Sequence, residues 1–207
     1  MRERTFAVAA MSVAGLLITS TPAAAAEIYK VDPAHTSIVF SVSHSGISYT
    51  YGFFRQASGG YLLDKANPAN CQFRMTIQAE SVDTNNAERD KHLRNGDFFN
   101  TQLFPTITFE STGCKLAKSQ DGGVVYQVTG NLTIHGVTRQ VTLPVRMLGE
   151  GKGPQGDQRS GFLCQVELKR SDFGMSKYLE LVGDVVGVTV SFEGVLQEAA
   201  PARPRQP

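Results

Sequence analysis

One stretch of the chain, VVYQVTGNLTIHGVTRQVTLPVRM at residues 124–147, decides the fold. Within it, two apolar-rich segments, residues 124–134 and 137–147, flank the dipeptide His135-Gly136. A turn dipeptide between two strand-like segments is typical of a tight antiparallel hairpin. The centre of the sequence therefore predicts strands rather than helices.

Apolar side chains also recur at every second position in five further segments. The alternating apolar positions are Ile38, Phe40 and Val42; Phe73, Met75 and Ile77; Ile107 and Phe109; Val166 and Leu168; and Val188, Val190 and Phe192. A period of two indicates strands with one buried and one solvated face, a division that antiparallel sheets tolerate. With turn signals between the segments, we count about eight strands and expect an all-β protein.

Eight antiparallel strands with short connections predict either a closed up-and-down barrel or a sandwich. We favour an eight-stranded antiparallel lipocalin-like barrel with a short helical insert, because closure removes unpaired sheet edges. Such a barrel is just wide enough to be filled by side chains or to hold one small ligand. Eleven of the 12 phenylalanines follow residue 26, so either a filled core or an apolar pocket fits this composition.

One internal segment, residues 84–96, departs from the strand pattern and predicts a helix, with Thr84 as its N-cap and Gly96 as its stop. The nearby apolar side chains are expected to plug one barrel end or to line its mouth. The charged side chains beside them either contact a ligand head group or pin the segment through local ion pairs. These charged residues are Arg89, Asp90, Lys91, His92 and Arg94.

Both ends of the chain are predicted to lie outside the folded domain, residues 27–198. Residues 1–26 combine Arg2 and Arg4, an apolar run and an Ala-x-Ala site, which is typical of a cleaved secretory signal peptide. The run is shorter than the ~20 residues that cross a bilayer, so we expect export to a bacterial periplasm and no stable membrane insertion. The tail, residues 199–207, contains three prolines and is predicted to be disordered.

Charge argues against several classes of partner. Removing residues 1–26 takes away two arginines and one glutamate, which leaves 18 basic and 18 acidic residues. A net charge near zero argues against binding to nucleic acid and against electrostatic attachment to a membrane surface.

Three cysteines allow at most one internal disulfide, with one thiol left over. Cys71 and Cys114 both lie at predicted strand edges, which favours pairing them in an exported protein. Simple alternation, however, places Cys71 inward and Cys114 outward, unless Gly113 breaks the phase of its strand. The sequence leaves both outcomes open, and it predicts Cys164 as a small buried hydrophobic residue.

The sequence carries no G-x-S-x-G nucleophile elbow, no P-loop and no H-E-x-x-H motif. The four histidines are scattered, and a metal site would need three or four ligands that converge. We therefore predict a protein that is not an enzyme and has neither a cofactor nor a metal. The enzymatic alternative requires converging polar groups inside the barrel, for example His44 with Arg170 or Asp172.

A series of motifs resembles the YceI-like family in order and spacing. The motifs are DPAHTS at residues 32–37, FSVSH at 40–44, SVDT at 81–84, RDKHL at 89–93, FFN at 98–100, FPTITF at 104–109, VTGNLTIHGVT at 128–138 and RSDFGM at 170–175. They span nearly the whole predicted mature chain. The departures from the family pattern are mild and lie at Thr36, Asn100 and Phe104.

The resemblance implies a periplasmic lipocalin-like barrel that binds a long isoprenoid lipid, either a polyprenyl chain or an isoprenoid quinone. It thus favours a pocket over the alternative of a structural or stress-response protein with a filled barrel. Each residue of the expected wall would also pack well in an ordinary core. The predicted ligand-binding residues are Phe40, Val42, His44, Phe53, Phe73, Met75, Ile77, Leu93, Phe98, Phe99, Phe109, Leu132, Ile134, Val166, Leu168 and Phe173.

Overall fold

Ten strands and one α-helix are formed by residues 26–119 and 122–199, the part of the chain that this computed structural model describes. The strands are β1 (Glu27–His44), β2 (Ser48–Phe54), β3 (Ala57–Leu63), β4 (Gln72–Gln78), β5 (Val82–Asp83), β6 (Thr106–Lys118), β7 (Val124–Ile134), β8 (Val137–Lys152), β9 (Gln158–Lys169) and β10 (Val182–Ala199), and the helix is α1 (Ala87–Arg94). The predicted signal peptide and tail lie outside the described residues, apart from Ala26 and Ala199.

Eight of these strands close the sheet into a barrel. Pairing runs from β1 to β3, β4, β6, β7, β8, β9 and β10, and β10 pairs again with β1; every pair is antiparallel. Strands β2 and β5 extend the sheet beside the second half of β1. The predicted all-β fold, an eight-stranded antiparallel barrel with a short helical insert, is confirmed.

The central hairpin forms where the sequence predicts it. His135 and Gly136 connect β7 to β8 with positive φ angles of 51° and 74°, as a two-residue I′ turn requires. A Cβ atom at Gly136 would lie 2.4 Å from the ring of Phe104, so the turn also needs the absence of a side chain there. The hairpin thereby brings the inward faces of two long strands into one wall.

Packed aromatic rings fill the half of the barrel that lies away from α1. Tyr61 stacks on Tyr29 with 4.9 Å between ring centroids and on Phe73 with 5.6 Å. Phe162 packs edge-on against Tyr61 at 5.2 Å and stacks on Phe192 at 5.4 Å. Such ring pairs contribute about 0.5–1.5 kcal/mol each beyond the burial of their surface. This ring cluster makes one barrel half a conventional hydrophobic core.

The three cysteines are buried free thiols. A register shift between Ser111 and Gly113 turns Cys114 inward, so the simple alternation that placed it outward fails at this bulge. Cys71 and Cys114 are 2% and 5% exposed, and their thiols are within hydrogen-bonding contact. The contact with the Cys71 sulfur and burial raise the pKa of the Cys114 thiol. Cys164 is also buried, and burial raises its thiol pKa to about 11.

The disulfide between Cys71 and Cys114 stays a prediction, and the contact of the two sulfurs supports it. After oxidation of the purified protein, we expect intact-mass analysis to show the loss of two hydrogens and alkylation to modify only Cys164 upon unfolding. Cys71→Ser should abolish this mass change, whereas Cys164→Ser should preserve it. Two alkylatable thiols at these positions after oxidation would contradict the pairing.

An ion-pair cluster holds an irregular stretch of β1 at residues 32–35. Asp32 Oδ2 lies 2.8 Å from His35 Nδ1 and 2.7 Å from an Arg159 Nη1, and the same nitrogen lies 3.0 Å from Glu193 Oε2. Hydrogen bonds from His35 and Arg159 lower the pKa of Asp32 to about 2. The three acid and imidazole groups lie close enough to share a cation, but the guanidinium already fills the position between the two carboxylates. We therefore assign the cluster to strand geometry.

The lowered pKa of Asp32 predicts that the free energy of unfolding decreases in acid. A carboxylate with a depressed folded-state pKa stabilises the fold above its unfolded pKa, here near 3.8, and loses this contribution as pH falls toward 2. Asp32→Asn should therefore be less stable than wild type at pH 7, and the difference should shrink between pH 4 and pH 2. Urea unfolding at each pH measures this, with the exposed Asp172→Asn as control. An unchanged difference across that window would contradict the assignment.

The helical insert forms, but its N-cap differs from the predicted one. Helix α1 begins at Ala87, and the side chain of Asn86 caps it by accepting a 3.0 Å hydrogen bond from the Arg89 amide. Thr84 instead donates from its amide (2.8 Å) and its hydroxyl (2.5 Å) to the buried Asp90 carboxylate. Asparagine and threonine both favour the N-cap position. Asn86 takes it here, because Thr84 is engaged by the Asp90 carboxylate.

Candidate functional site

The other half of the barrel, beside α1, contains a partly open cavity of about 220 Å³. Its accessible wall is apolar. The lining residues come from all around the barrel and from the α1 segment. They are Val31, Ile38, Phe40, Val42, Phe54, Gly60, Tyr61, Phe73, Arg74, Met75, Ile77, Leu93, Phe98, Phe99, Ile107, Phe109, Leu132, Ile134, Leu143, Val145, Cys164, Val166, Leu168, Arg170, Phe173, Met175, Val182, Val186, Val188, Val190 and Phe192.

Fourteen of the predicted ligand-binding residues lie in this wall. They are Phe40, Val42, Phe73, Met75, Ile77, Leu93, Phe98, Phe99, Phe109, Leu132, Ile134, Val166, Leu168 and Phe173. The structure brings these side chains together around one space. Their contact with a ligand stays a prediction.

Two predicted wall residues, Phe53 and His44, lie outside the cavity wall. Strand β2 has the opposite phase from the predicted one: Gly52 is buried and Phe54 lines the cavity, so Phe53 faces outward. The guanidinium of Arg55 covers its ring at 4.6 Å. His44 does continue the inward phase of β1, but it is the last residue of the strand and is exposed beyond the cavity.

The floor of the cavity belongs to the ring cluster of the filled half. Tyr61, Phe73 and Phe192 reach the cavity from that cluster. The Tyr61 hydroxyl is satisfied within the barrel, because it donates to the Ser160 carbonyl at 3.0 Å. Burial raises the pKa of Tyr61 above its ordinary value, so the hydroxyl stays neutral. The floor therefore presents packed rings, and the Tyr61 hydroxyl in it is neutral and paired.

The α1 segment covers the cavity at the opposite end, as the sequence predicts. Leu93, Phe98 and Phe99 line the cavity at the end opposite the ring cluster. The Phe98 ring packs on Tyr178 at 6.3 Å and on the His92 ring at 5.1 Å. We call the segment from α1 to Phe99 the lid. Because Tyr178 belongs to the β9–β10 connection, the lid closes against that loop.

Two arginines of the lid bind the backbone of the segment that precedes it. Arg89 donates to the Thr84 carbonyl at 2.7 Å, and Arg94 donates to the Val82 carbonyl at 2.7 Å. The buried carboxylate of Asp90 accepts the two hydrogen bonds from Thr84, and Lys91 is exposed. This arrangement favours the pinning interpretation of the charged cluster over a head-group contact.

Arg170 is a buried charged residue of the wall that the predicted ligand-binding set does not contain. It begins the 3₁₀ turn Arg170–Phe173 after β9 and is buried. Sequence motifs suggested it only as a partner of His44 or Asp172 in an enzymatic alternative. The structure does not bring these groups together: Asp172 is exposed, and its carbonyl accepts from Arg139 at 3.0 Å.

Several apolar wall residues were also absent from the predicted set. Val182, Val186, Val188 and Val190 line the cavity from β10. Only Val188 and Val190 belong to a segment in which apolar residues alternate with polar ones. Gly183 and Gly187 interrupt the pattern before them. The alternation that indicates inward-facing residues is therefore visible in the second half of β10, whereas small residues interrupt it in the first half.

Within residues 26–119 and 122–199, no helix has both the length and the apolar character needed to cross a membrane.

Comparison with known proteins gives a consistent result. The model of the YceI-like domain matches residues 29–194. A UPF0312 protein of Pseudomonas paraeruginosa is 42% identical over 91% of this chain and 97% of its own length. The protein YceI of Salmonella arizonae is 40% identical over 90% of this chain and 96% of its own.

Solved structures share the fold. BcnA of Burkholderia cenocepacia superposes with a TM-score of 0.68 at 27% identity and covers 79% of this chain and 98% of its own. A polyisoprenoid binding domain from Saccharophagus degradans superposes with a TM-score of 0.62 at 18% identity, with 82% and 98% covered. At 18% identity, the similarity to the second structure shows only that the fold is shared.

Proposed function

The chain belongs to the YceI-like family, and we propose that it binds a long isoprenoid lipid, a polyprenyl chain or an isoprenoid quinone, without changing it chemically. The observation that carries the proposal is the apolar cavity of about 220 Å³ inside one half of the barrel. A polyisoprenoid is also what the Saccharophagus degradans neighbour is described as binding.

The chemistry of a prenyl tail matches this wall. The tail is apolar, methyl-branched carbon with almost no hydrogen-bonding capacity. Transfer from water into an apolar site gains ~25 cal/mol per Å² of buried apolar surface. A few hundred Å² would then contribute on the order of 10 kcal/mol before the costs of ordering the ligand and the protein. Binding of such a ligand needs no catalytic group.

The size of the cavity sets a condition on a long ligand. An apolar cavity of roughly 150 Å³ accommodates one benzene ring, and this one holds about 220 Å³. A tail of many isoprene units therefore requires the cavity to enlarge. The floor is a packed ring cluster, whereas the lid is a helix of eight residues with a following loop. We infer that the lid moves outward when a long chain enters.

Carriage or sequestration in the periplasm fits the predicted signal peptide and a site inside the barrel. A lipid held inside a barrel is shielded from water and from the bilayer, which allows it to be moved, stored or protected. We infer a non-catalytic role because the enzymatic alternative pairs His44 with Arg170 or Asp172, and both His44 and Asp172 are exposed outside the cavity wall, which leaves Arg170 without either partner.

A chain-length series tests the proposal. Geraniol, farnesol and geranylgeraniol are titrated against protein loaded with a fluorescent apolar probe, and straight-chain alcohols of equal carbon number serve as controls. We expect displacement that tightens with each added isoprene unit and exceeds that of the straight-chain control. A failure of every prenyl alcohol to displace the probe, or a preference for straight chains, would contradict isoprenoid binding.

A further inference from the structure

Four aliphatic side chains project into solvent at the lid end of the barrel. Ile47 is 88% exposed, Leu103 70%, Leu181 51% and Leu179 41%. They lie on three connections: the β1–β2 turn, the loop that follows the lid, and the β9–β10 connection. We call these four residues the rim. A single exposed leucine is ordinary on a protein surface, whereas a group of them at one end of the molecule indicates a contact site.

Hydrogen bonds and a ring contact bring the three connections to the same end of the barrel. The Ser45 amide donates to the Leu181 carbonyl at 2.6 Å, which joins the β1–β2 turn to the β9–β10 connection. Phe104, in the loop after the lid, packs on the His135 ring with 4.8 Å between centroids. His135 Nδ1 lies 3.2 Å from the Phe173 carbonyl, which belongs to the chain between β9 and β10. The rim residues therefore share one end of the molecule.

The rim continues the apolar wall of the cavity to the outside. Phe99, at the end of the lid, lines the cavity shortly before Leu103, and Val182 lines it directly after Leu181. Packed rings fill the other half of the barrel. A ligand therefore enters the cavity most directly past the rim.

The connections that carry the rim have almost no charge. Across residues 45–47, 100–105 and 174–181, the charged side chains are Lys177 and Glu180, which are both exposed and cancel each other. Such a surface is not attracted to anionic lipid by charge. It gains free energy when its aliphatic side chains leave water for an apolar medium.

We propose that the rim docks this end of the barrel reversibly on a lipid bilayer, with the rim side chains among the acyl chains. The outer face of the lid is polar, with Glu88 and Lys91 exposed, so the lid stays at the level of the head groups. A fluid bilayer accommodates side chains from separate loops, whereas a protein partner needs one complementary surface. The choice of partner rests on the proposed function, because a prenyl lipid is dissolved in a bilayer before it enters the barrel.

Flotation of the exported, folded protein with phosphatidylcholine vesicles, in the absence of any prenyl lipid, tests this contact. We expect wild type to float with the vesicles. The bound fraction should change little when salt is raised or phosphatidylglycerol is added, because the contact is apolar. The double variant Ile47→Ser/Leu181→Ser should lower the partition coefficient by ~100-fold, since each buried aliphatic side chain supports roughly tenfold.

A matched double variant controls for the loss of exposed aliphatic side chains as such. Leu116 and Leu148 are 53% and 58% exposed, toward the ends of β6 and β8 that lie away from the rim. Leu116→Ser/Leu148→Ser should float with the vesicles as wild type does. Both double variants should keep the wild-type affinity for prenyl alcohols in solution, because neither changes the cavity wall.

Three results would overturn the docking inference: a wild type that does not float, equal flotation of Ile47→Ser/Leu181→Ser, and flotation only with anionic lipid at low salt. A wild-type dimer that this double variant dissociates would overturn it as well, since the rim would then bind a second copy of the chain. Failure of prenyl alcohols to displace the fluorescent probe from wild type would instead overturn the proposed function, whatever the vesicles show.

Discussion

Phe73→Asp is expected to yield a chain that does not reach the native fold. Phe73 is 6% exposed and belongs to the ring cluster. Its ring lies 5.6 Å from Tyr61, 5.8 Å from Phe162 and 6.1 Å from Tyr126. Truncation of a buried phenylalanine alone costs about 3–5 kcal/mol, and an unpaired buried carboxylate adds a further penalty. Together these approach the whole 5–15 kcal/mol that stabilises a typical domain.

Far-ultraviolet circular dichroism and urea unfolding measure the effect of this substitution. Phe73→Leu is the matched control, because it keeps an apolar side chain at the same place and should remain folded with a modest loss of stability. A Phe73→Asp variant that unfolds cooperatively at a urea concentration close to that of wild type would show that this side of the barrel is not a packed core.

A larger side chain in the cavity is expected to weaken ligand binding without destabilising the fold. Val188 on β10 pairs with Val166 on β9, and both side chains line the cavity. Val188→Phe adds a ring to the empty space, so the free energy of unfolding should be unchanged or rise by ~0.5–2 kcal/mol. Prenyl-alcohol affinity should fall by ~100-fold, which corresponds to a loss of about 2.7 kcal/mol of binding free energy.

The control for this variant lies on the same strand. Val185→Phe makes the same substitution on the outward face, where the side chain is 45% exposed, and it should leave binding unchanged. If Val188→Phe binds prenyl alcohols as tightly as wild type, the ligand does not occupy this cavity. A strong loss of stability would show instead that the wall has no room for a ring.

Strand phase was predictable from the sequence wherever polar and apolar residues alternate strictly. Phe40, Met75 and Phe109 face inward as their neighbours indicate. The prediction was wrong at Phe53 because two adjacent phenylalanines, Phe53 and Phe54, give no alternation, and the inward position before them is a glycine. A glycine shows no preference for either face in the sequence, although Gly52 is needed inside: a Cβ there would lie 2.3 Å from the Phe40 ring.

Whether the barrel is filled or hollow could not be predicted from residue types. The same aromatic and aliphatic residues form both halves: Tyr61, Phe162 and Phe192 meet in one half, while Phe109 and Phe173 surround empty space in the other. Whether a side chain faces inward follows from its position in its own strand. Whether two inward-facing rings touch depends on the distance between opposite strands of the barrel. The two interpretations that the sequence left open therefore describe different halves of one barrel.

Arg170 illustrates a second limit of local patterns. Its burial depends on three carbonyls from residues 175–183, a loop whose course follows from tertiary packing. A sequence pattern shows a charged residue at the end of a strand, which is normally exposed. Only the folded chain shows that Arg170 is buried beside the cavity.

The central claim is that the hollow half of the barrel holds the tail of an isoprenoid lipid. Native mass spectrometry of the full protein, exported in a bacterial host and purified from its periplasm without detergent, tests this most directly when combined with identification of the extracted lipid. We expect one bound lipid per chain, of a mass that identifies an isoprenoid, and its loss in Val188→Phe but not in Val185→Phe. A protein that is consistently empty, and that stays empty after incubation with prenyl lipids and quinones, would contradict the account.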